Sequence, residues 1–153
     1  MIVYRLAKST YSTDLSGKGA AKTGGRWNSK GVAVVYTSES RALCTTEIAV
    51  HIPLGILPED FQLVSIEIPA SIKVYSLPAS KLPENWNSIP HPGGTQELGD
   101  WFVRQNKQVV MKVPSAVVQG EFNYLINSGH REAKKIKIKK IEQFSFDQRL
   151  FLK

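Results

Sequence analysis

The chain has 153 residues, 42% of them hydrophobic and 22% charged, which suits one domain with a substantial core. No apolar run approaches the roughly 20 residues that span a bilayer, and the single Cys44 excludes an intrachain disulfide framework. Twenty Lys and Arg against 13 Asp and Glu leave a net charge of +7. Residues 1–31 hold six basic side chains against one acidic, residues 130–153 eight against three, and residues 32–129 six against nine. Basic ends around a slightly acidic centre suit nucleic acid, an anionic small molecule or an acidic protein, and composition does not choose among them. The start, Met1-Ile2-Val3-Tyr4-Arg5, lacks a basic-then-apolar signal, so a reduced, cytoplasmic protein is expected.

Alternation in Ile2-Val3-Tyr4-Arg5-Leu6 predicts a first strand. Residues 8–31, rich in Ser, Thr, Gly and Lys, have no periodicity, and a loop of that length is usually functional or disordered. It ends in Gly24-Gly25-Arg26-Trp27-Asn28. Two glycines permit a tight turn and a close backbone approach. Arg then offers a bidentate grip on phosphate or carboxylate, Trp a cover for a ring, and Asn both a donor and an acceptor. The same five residues also read as an ordinary turn with an exposed Arg and a core Trp.

Val32 to Thr37 predicts a buried strand, and Ser38 an N-cap for a helix from about Glu39 to His51, stopped by Pro53. On that helix Leu43, Glu47 and Val50 share a face. A carboxylate among apolar neighbours must find a partner, reach water at the margin or be put to use. Phe61 to Ile68 predicts a strand and Val74-Tyr75 a short one. Four prolines between Ser76 and Gly94, interleaved with Leu77, Leu82, Trp86 and Ile89, predict an ordered, irregular connection. Thr95 then caps a helix with Leu98, Trp101 and Phe102 in the core.

Val109 to Val113 predicts another buried strand, ended by Pro114. Ser115, Glu121 and Asn123 form a polar cluster in apolar surroundings, readable as a site or as loop and cap chemistry. Ile136 and Ile138 alternate with Lys135, Lys137 and Lys139, the pattern of a strand with one wet face, whose lysines guard an edge. No aromatics interleave there to stack bases. Phe144 to Asp147 predicts a last strand. There is no Walker loop, Rossmann fingerprint, CxxC pair or nucleophile elbow, and His51, His91 and His130 lack zinc-ligand spacing, so no metal is expected.

Six blocks in order carry a likeness to a known family. They are Gly25-Arg26-Trp27-Asn28, Val35-Tyr36-Thr37-Ser38, the helix from Ala42-Leu43 through Glu47, Leu98-Gly99-Asp100-Trp101, Lys112 through Val118, and Glu121 through Asn127. In them the chain resembles the RES-domain toxins of RES–Xre toxin–antitoxin systems over nearly its whole length. The resemblance implies a single α+β domain, residues 1–153, similar to the ADP-ribosyltransferase fold, with a split mixed sheet, flanking helices and an NAD cleft. It places the family's catalytic Arg, Tyr and Glu at Arg26, Tyr36 and Glu47, and its Ser and Asn at Ser115 and Asn123. Trp27 and Asn28 join Ser115 and Asn123 as substrate-binding candidates, and residues 8–31 become a flap over the cleft.

The implied activity is cleavage of the nicotinamide–ribose bond of NAD, a substrate and not a cofactor, by water or phosphate. The alternatives are ADP-ribose transfer to a host protein and, further off, a nucleic-acid-binding or ribonuclease toxin. The implied partner is an Xre-type antitoxin that blocks the site, with no membrane role and nucleic acid met only through the antitoxin. One departure stands beyond the core motif: Ser128 follows Asn127 where the family often has proline.

Overall fold

In the computed structural model, which describes residues 1–152, seven strands form one mixed sheet. They are β1 (Ile2–Lys8), β2 (Val35–Ser38), β3 (Phe61–Glu67), β4 (Val74–Ser76), β5 (Val110–Pro114), β6 (Phe122–Ile126) and β7 (Lys137–Phe144). Their order across the sheet is β4-β5-β6-β2-β1-β3-β7, antiparallel throughout except for parallel β4 and β5. The central neighbours β1 and β2 meet at one register pair, Tyr4↔Ser38, whereas β1 and β3 pair over seven residues from Ile2 to Lys8. The sheet is therefore split into two halves that touch at a narrow seam, as expected for this α+β class.

Strand alternation sends the two sides of the sheet into different cores. One face buries Val3, Val35, Val64, Ile66, Val110, Tyr124 and Ile126, with Ile136 packed on them. Full burial of each such aliphatic side chain contributes roughly 1.5–3 kcal/mol. The other face carries two separate cores. Helix α3 (Gly93–Gln105) covers one with Phe102 over Met111, Val113 and Leu125, joined by Trp27. Helix α2 (Arg41–Ala49) covers the other with Cys44 near Leu6 and Leu63, closed by Phe146 and Phe151. Between these two cores lies the seam.

Several elements differ from the sequence expectation. Strand β2 runs to Ser38, so the N-cap of α2 is Ser40, whose hydroxyl accepts from Leu43 N at 3.0 Å. Thr95 is not the cap of α3; it lies in the first turn and donates to Pro92 O at 2.9 Å. The 8–31 segment is no open flap: it contains a 3₁₀ turn at Ser9–Tyr11 and helix α1 (Lys18–Thr23). Arg5 ties its first part down by donating to the Tyr11 and Asp14 carbonyls, and Ser128 Oγ donates to Ser16 O at 2.6 Å. Phe144 to Asp147 is not a separate strand. β7 continues through Phe144, and Phe146 stacks edge-on against Phe61, Phe144 and Phe151 with centroids 5.0–5.4 Å apart.

The lysine-rich strand is β7, at the sheet's edge. Its register jumps between Ser65 and Ile66, so Ser65 faces Lys140, Ile66 faces Ile138 and Lys139 is the extra residue of a bulge. The bulge lets Ile138 and Ile141, three residues apart, stay on one face.

Candidate active site

Glu47 lies in the last turns of α2, half-buried, where the helix passes over the seam. Its Oε1 accepts from Ser115 Oγ at 2.7 Å and from Asn123 Nδ2 at 2.6 Å. Both donors converge on one oxygen, and Oε2 has no hydrogen-bond partner among the described residues. Ser115 sits just past the end of β5, where Val117 N and Val118 N donate to its hydroxyl at 3.0 and 2.9 Å. A hydroxyl has two acceptor sites and one proton. With both acceptor sites filled from the turn, the proton points at Glu47 and the hydroxyl has no capacity left. Asn123, the second residue of β6, points its amide nitrogen at Glu47 while its Oδ1 accepts from Ser38 Oγ at 2.8 Å. One of its N–H groups remains for a ligand.

Arg26 comes from a turn docked on the opposite bank of the seam. Gly25 N donates to Asn28 O at 2.9 Å, closing the turn. A Cβ at Gly25 would lie 2.8 Å from the Tyr36 hydroxyl, so the position has room only for glycine. That hydroxyl donates to Asn28 Oδ1 at 2.6 Å and accepts from Trp27 N at 3.1 Å. Arg26 Nη1 donates to Trp86 O at 2.7 Å and Ser88 O at 3.1 Å, which fastens the proline-rich connection to the turn. Its Nε and Nη2 have no partner among the described residues. Burial lowers the Arg26 pKa, and Glu47 and Tyr36 act in the opposite sense. Burial likewise raises the Tyr36 phenol well above its ordinary value, so it stays a neutral donor.

The structure thus brings Glu47, Ser115 and Asn123 into direct contact, leaves Arg26 within reach of the Glu47 charge, and places Tyr36 two residues before Ser38 on β2. Trp27 and Asn28 occupy a different role from the ligand contacts expected of them. Asn28 is wholly buried, with Nδ2 donating to Ala20 O at 2.9 Å and Val32 O at 3.0 Å and Oδ1 filled by Tyr36. Trp27 is buried in the α3 core, 6.4 Å from the Trp86 ring centre. Both hold the turn from inside.

Four residues that sequence reasoning did not place in the site complete the assembly. Ser38 contacts Asn123, as above. On α3, Gln96, Gly99 and Asp100 fall at i, i+3 and i+4, on one face. Gln96 Nε2 donates to Gly25 O at 3.0 Å and Asn28 O at 3.1 Å. Asp100 accepts from Ser29 N at 2.9 Å and Ser29 Oγ at 2.6 Å. A Cβ on Gly99 would stand 1.6 Å from Trp27 O, so helix and turn pack backbone against backbone. The signal available was the polar i, i+3, i+4 stripe beside the apolar one.

Among the described residues no group of three or more His, Cys, Asp or Glu could hold a metal ion, and no helix is long and apolar enough to cross a membrane. Two open depressions of about 200 and 230 Å³ lie near Arg131, Lys134 and Lys135 and near Lys73, Lys107 and Gln108. They are at the other end of β5 and β6 from Ser115 and Asn123.

A split seven-stranded mixed sheet, with a held carboxylate and a guanidinium-bearing turn at its seam, defines an α+β fold with a polar cluster there. That fold is shared with a chain of the M. tuberculosis MbcT–MbcA toxin–antitoxin complex, at a TM-score of 0.70 over 98% of this chain and 86% of that one, with 19% identity. The RES domain model matches residues 2–147, and the chain belongs to the RES domain family. It is 38% identical to the Prs ADP-ribosylating toxin of Sphingobium sp. strain YBL2, over 96% of this chain and 92% of that protein. It is also 38% identical to the Toxin Res of Pseudomonas putida KT2440, over 99% and 100%, and 33% identical to the Toxin Res of Yersinia enterocolitica, over 98% and 99%.

Proposed function

We propose that the protein is the toxin of a toxin–antitoxin pair and that it breaks the nicotinamide–ribose bond of NAD, lowering the cell's NAD and arresting growth. The observation that carries this reading is Glu47, with Oε1 gripped by Ser115 and Asn123 and Oε2 open. Cleaving an N-glycosidic bond passes through an oxocarbenium-like state. Nicotinamide is attached as a pyridinium, so it departs neutral with the bonding electron pair and needs no acid. What the reaction needs is an anion fixed beside the developing ribosyl cation, and a carboxylate anchored through one oxygen can offer the other to that cation or to a ribose hydroxyl. The free Nε and Nη2 of Arg26 suit the pyrophosphate, and the Tyr36 ring suits the nicotinamide or ribose. The acceptor oxygen then bonds to the ribosyl carbon and its proton passes to solvent.

Water and phosphate are the acceptors in this reading. Transfer of ADP-ribose to a host protein is the second reading, favoured by the name of the Sphingobium relative, an ADP-ribosylating toxin. The site chemistry is the same in both, and only the incoming nucleophile differs. The proposed partner is an Xre-type antitoxin that covers the cleft in the cytoplasm; the structural neighbour is itself half of a toxin–antitoxin complex. Nicotinamide release by the purified protein tests the reading, followed with and without phosphate and with a search for labelled protein. Release only with phosphate means phosphorolysis, release in both without label means hydrolysis, and label on a host protein means transfer. No release under any of these conditions overturns the NAD reading.

A further inference from the structure

Asn123 can hold Glu47 only if its carboxamide has the right orientation. Flipped by half a turn, it would set Oδ1 against the carboxylate and lose its donor. The acceptor-only carboxylate of Glu47 draws the nitrogen end toward itself. Ser38 is placed to hold the other end. Ser38 of β2 and Asn123 of β6 are a direct cross-strand pair, which puts their Cβ atoms roughly 4.5–5.5 Å apart on one face. The Ser38 side chain is buried, 5% exposed, and its Oγ donates to Asn123 Oδ1 at 2.8 Å. The register is held on both sides by Thr37 opposite Tyr124 and Val113 opposite Asn123. Thr37 Oγ1 adds a bond to Tyr124 O at 2.7 Å. The result is a run of bonds pointing one way, Ser38 to Asn123 to Glu47, meeting Ser115 on the same oxygen. Polarised chains of this kind strengthen one another where water is excluded.

We infer that Ser38 is a positioning residue for Glu47: its hydroxyl anchors the Asn123 carboxamide by Oδ1, so that the amide is held in one place against the carboxylate and Oε2 is presented in one orientation. The last residue of β2 thereby belongs to the site through a contact that touches no ligand. The kinetic part of the inference rests on the NAD reading, and the orientation of the amide does not.

The test combines the Asn123 side-chain amide signal by ¹H–¹⁵N NMR with nicotinamide release, in the full-length protein and its Ser38→Ala variant. In the parent protein one Asn123 amide proton is expected downfield, bonded to a carboxylate. In Ser38→Ala that proton moves upfield and exchanges faster, while backbone signals away from β2 and β6 stay in place. The turnover rate falls about tenfold, the loss of one oriented hydrogen bond, with KM little changed. In an Asn123→Ala background the same substitution adds no further loss, because the two residues act as a unit. An Asn123 signal unmoved by Ser38→Ala overturns the inference, and so does a loss that persists in full without Asn123. If the parent protein releases no nicotinamide, the function fails while the amide signal still decides the role of Ser38.

Discussion

The tyrosine at position 36 illustrates how much of this site is held by groups that need not touch a ligand. Its hydroxyl fills Asn28 Oδ1 and receives Trp27 N, both inside the turn that presents Arg26. Tyr36→Phe keeps the ring and removes those two bonds, leaving a buried carboxamide oxygen and a backbone N–H without partners. The expected cost is about 1–3 kcal/mol of stability, read as a lower urea midpoint at unchanged slope, together with weaker NAD binding as Arg26 loses its fixed position. A variant as stable as the parent would mean that the turn is held without it. At this scale the sequence was legible in part. Motif order names Arg26, Tyr36 and Glu47 as catalytic and Ser115 and Asn123 as substrate-binding, but it does not show that Ser115 and Asn123 hold Glu47. Asn28 and Trp27 read as ligand groups because a Gly-Gly turn looks exposed, and their burial depends on α3, seventy residues away.

Among the elements, α3 is the backrest of the arginine turn. Its apolar stripe, Leu98, Trp101 and Phe102, was plain from helical spacing and does pack in the core. The polar stripe of Gln96, Gly99 and Asp100 was not read, because its meaning arises only when the turn arrives on it. Gly99 is the sharpest case. Gly99→Ala sets a methyl 1.6 Å from the Trp27 carbonyl, where backbone on both sides prevents yielding. The helix must back away, so a loss of several kcal/mol, in the upper tail of single substitutions, or failure to fold is expected. Gly93→Ala in the same helix meets nothing within 4 Å and serves as the tolerated control. Equal melting temperatures for the two variants would refute this packing. The boundary of α2 was misread for a related reason. Ser38 and Ser40 are both good caps locally, and only the pairing of β2 with β6 assigns Ser38 to the strand. The β7 bulge was not read either, because the alternation of Ile136 and Ile138 with lysines stops short of the register jump at Lys139.

At the scale of the whole molecule, two acidic groups tie stability to alkaline pH. Burial pushes the Cys44 thiol from 9.0 up to about 12, against a weaker opposing bond from the Leu6 backbone, and burial also raises Tyr36. In both cases the folded state holds its proton more tightly than the unfolded chain. The unfolded state therefore binds fewer protons through this range and stability falls as pH rises. Cys44's contribution is complete below pH 9.0 and is lost towards about 12. Urea titrations at rising pH should show that decline, with a shallower slope in Cys44→Ala; a flat profile would contradict the burial of both groups. The split of the sheet is also a property of this scale. Alternation and apolar runs predict most strands one by one and leave β6 unread, but the seam exists because β1 and β2 share only Tyr4↔Ser38, a non-local fact that no window of sequence contains. The proposed function puts catalysis at that seam, and Glu47→Gln tests the proposal most directly. Glutamine keeps an oxygen for Ser115 and Asn123, so the fold is expected to survive while the charge is gone. The account predicts an unchanged melting temperature and retained NAD binding, with nicotinamide release slowed about 10²–10³-fold, as for loss of one fixed electrostatic contact to a transition state. Release at the parental rate from a folded Glu47→Gln protein would contradict it.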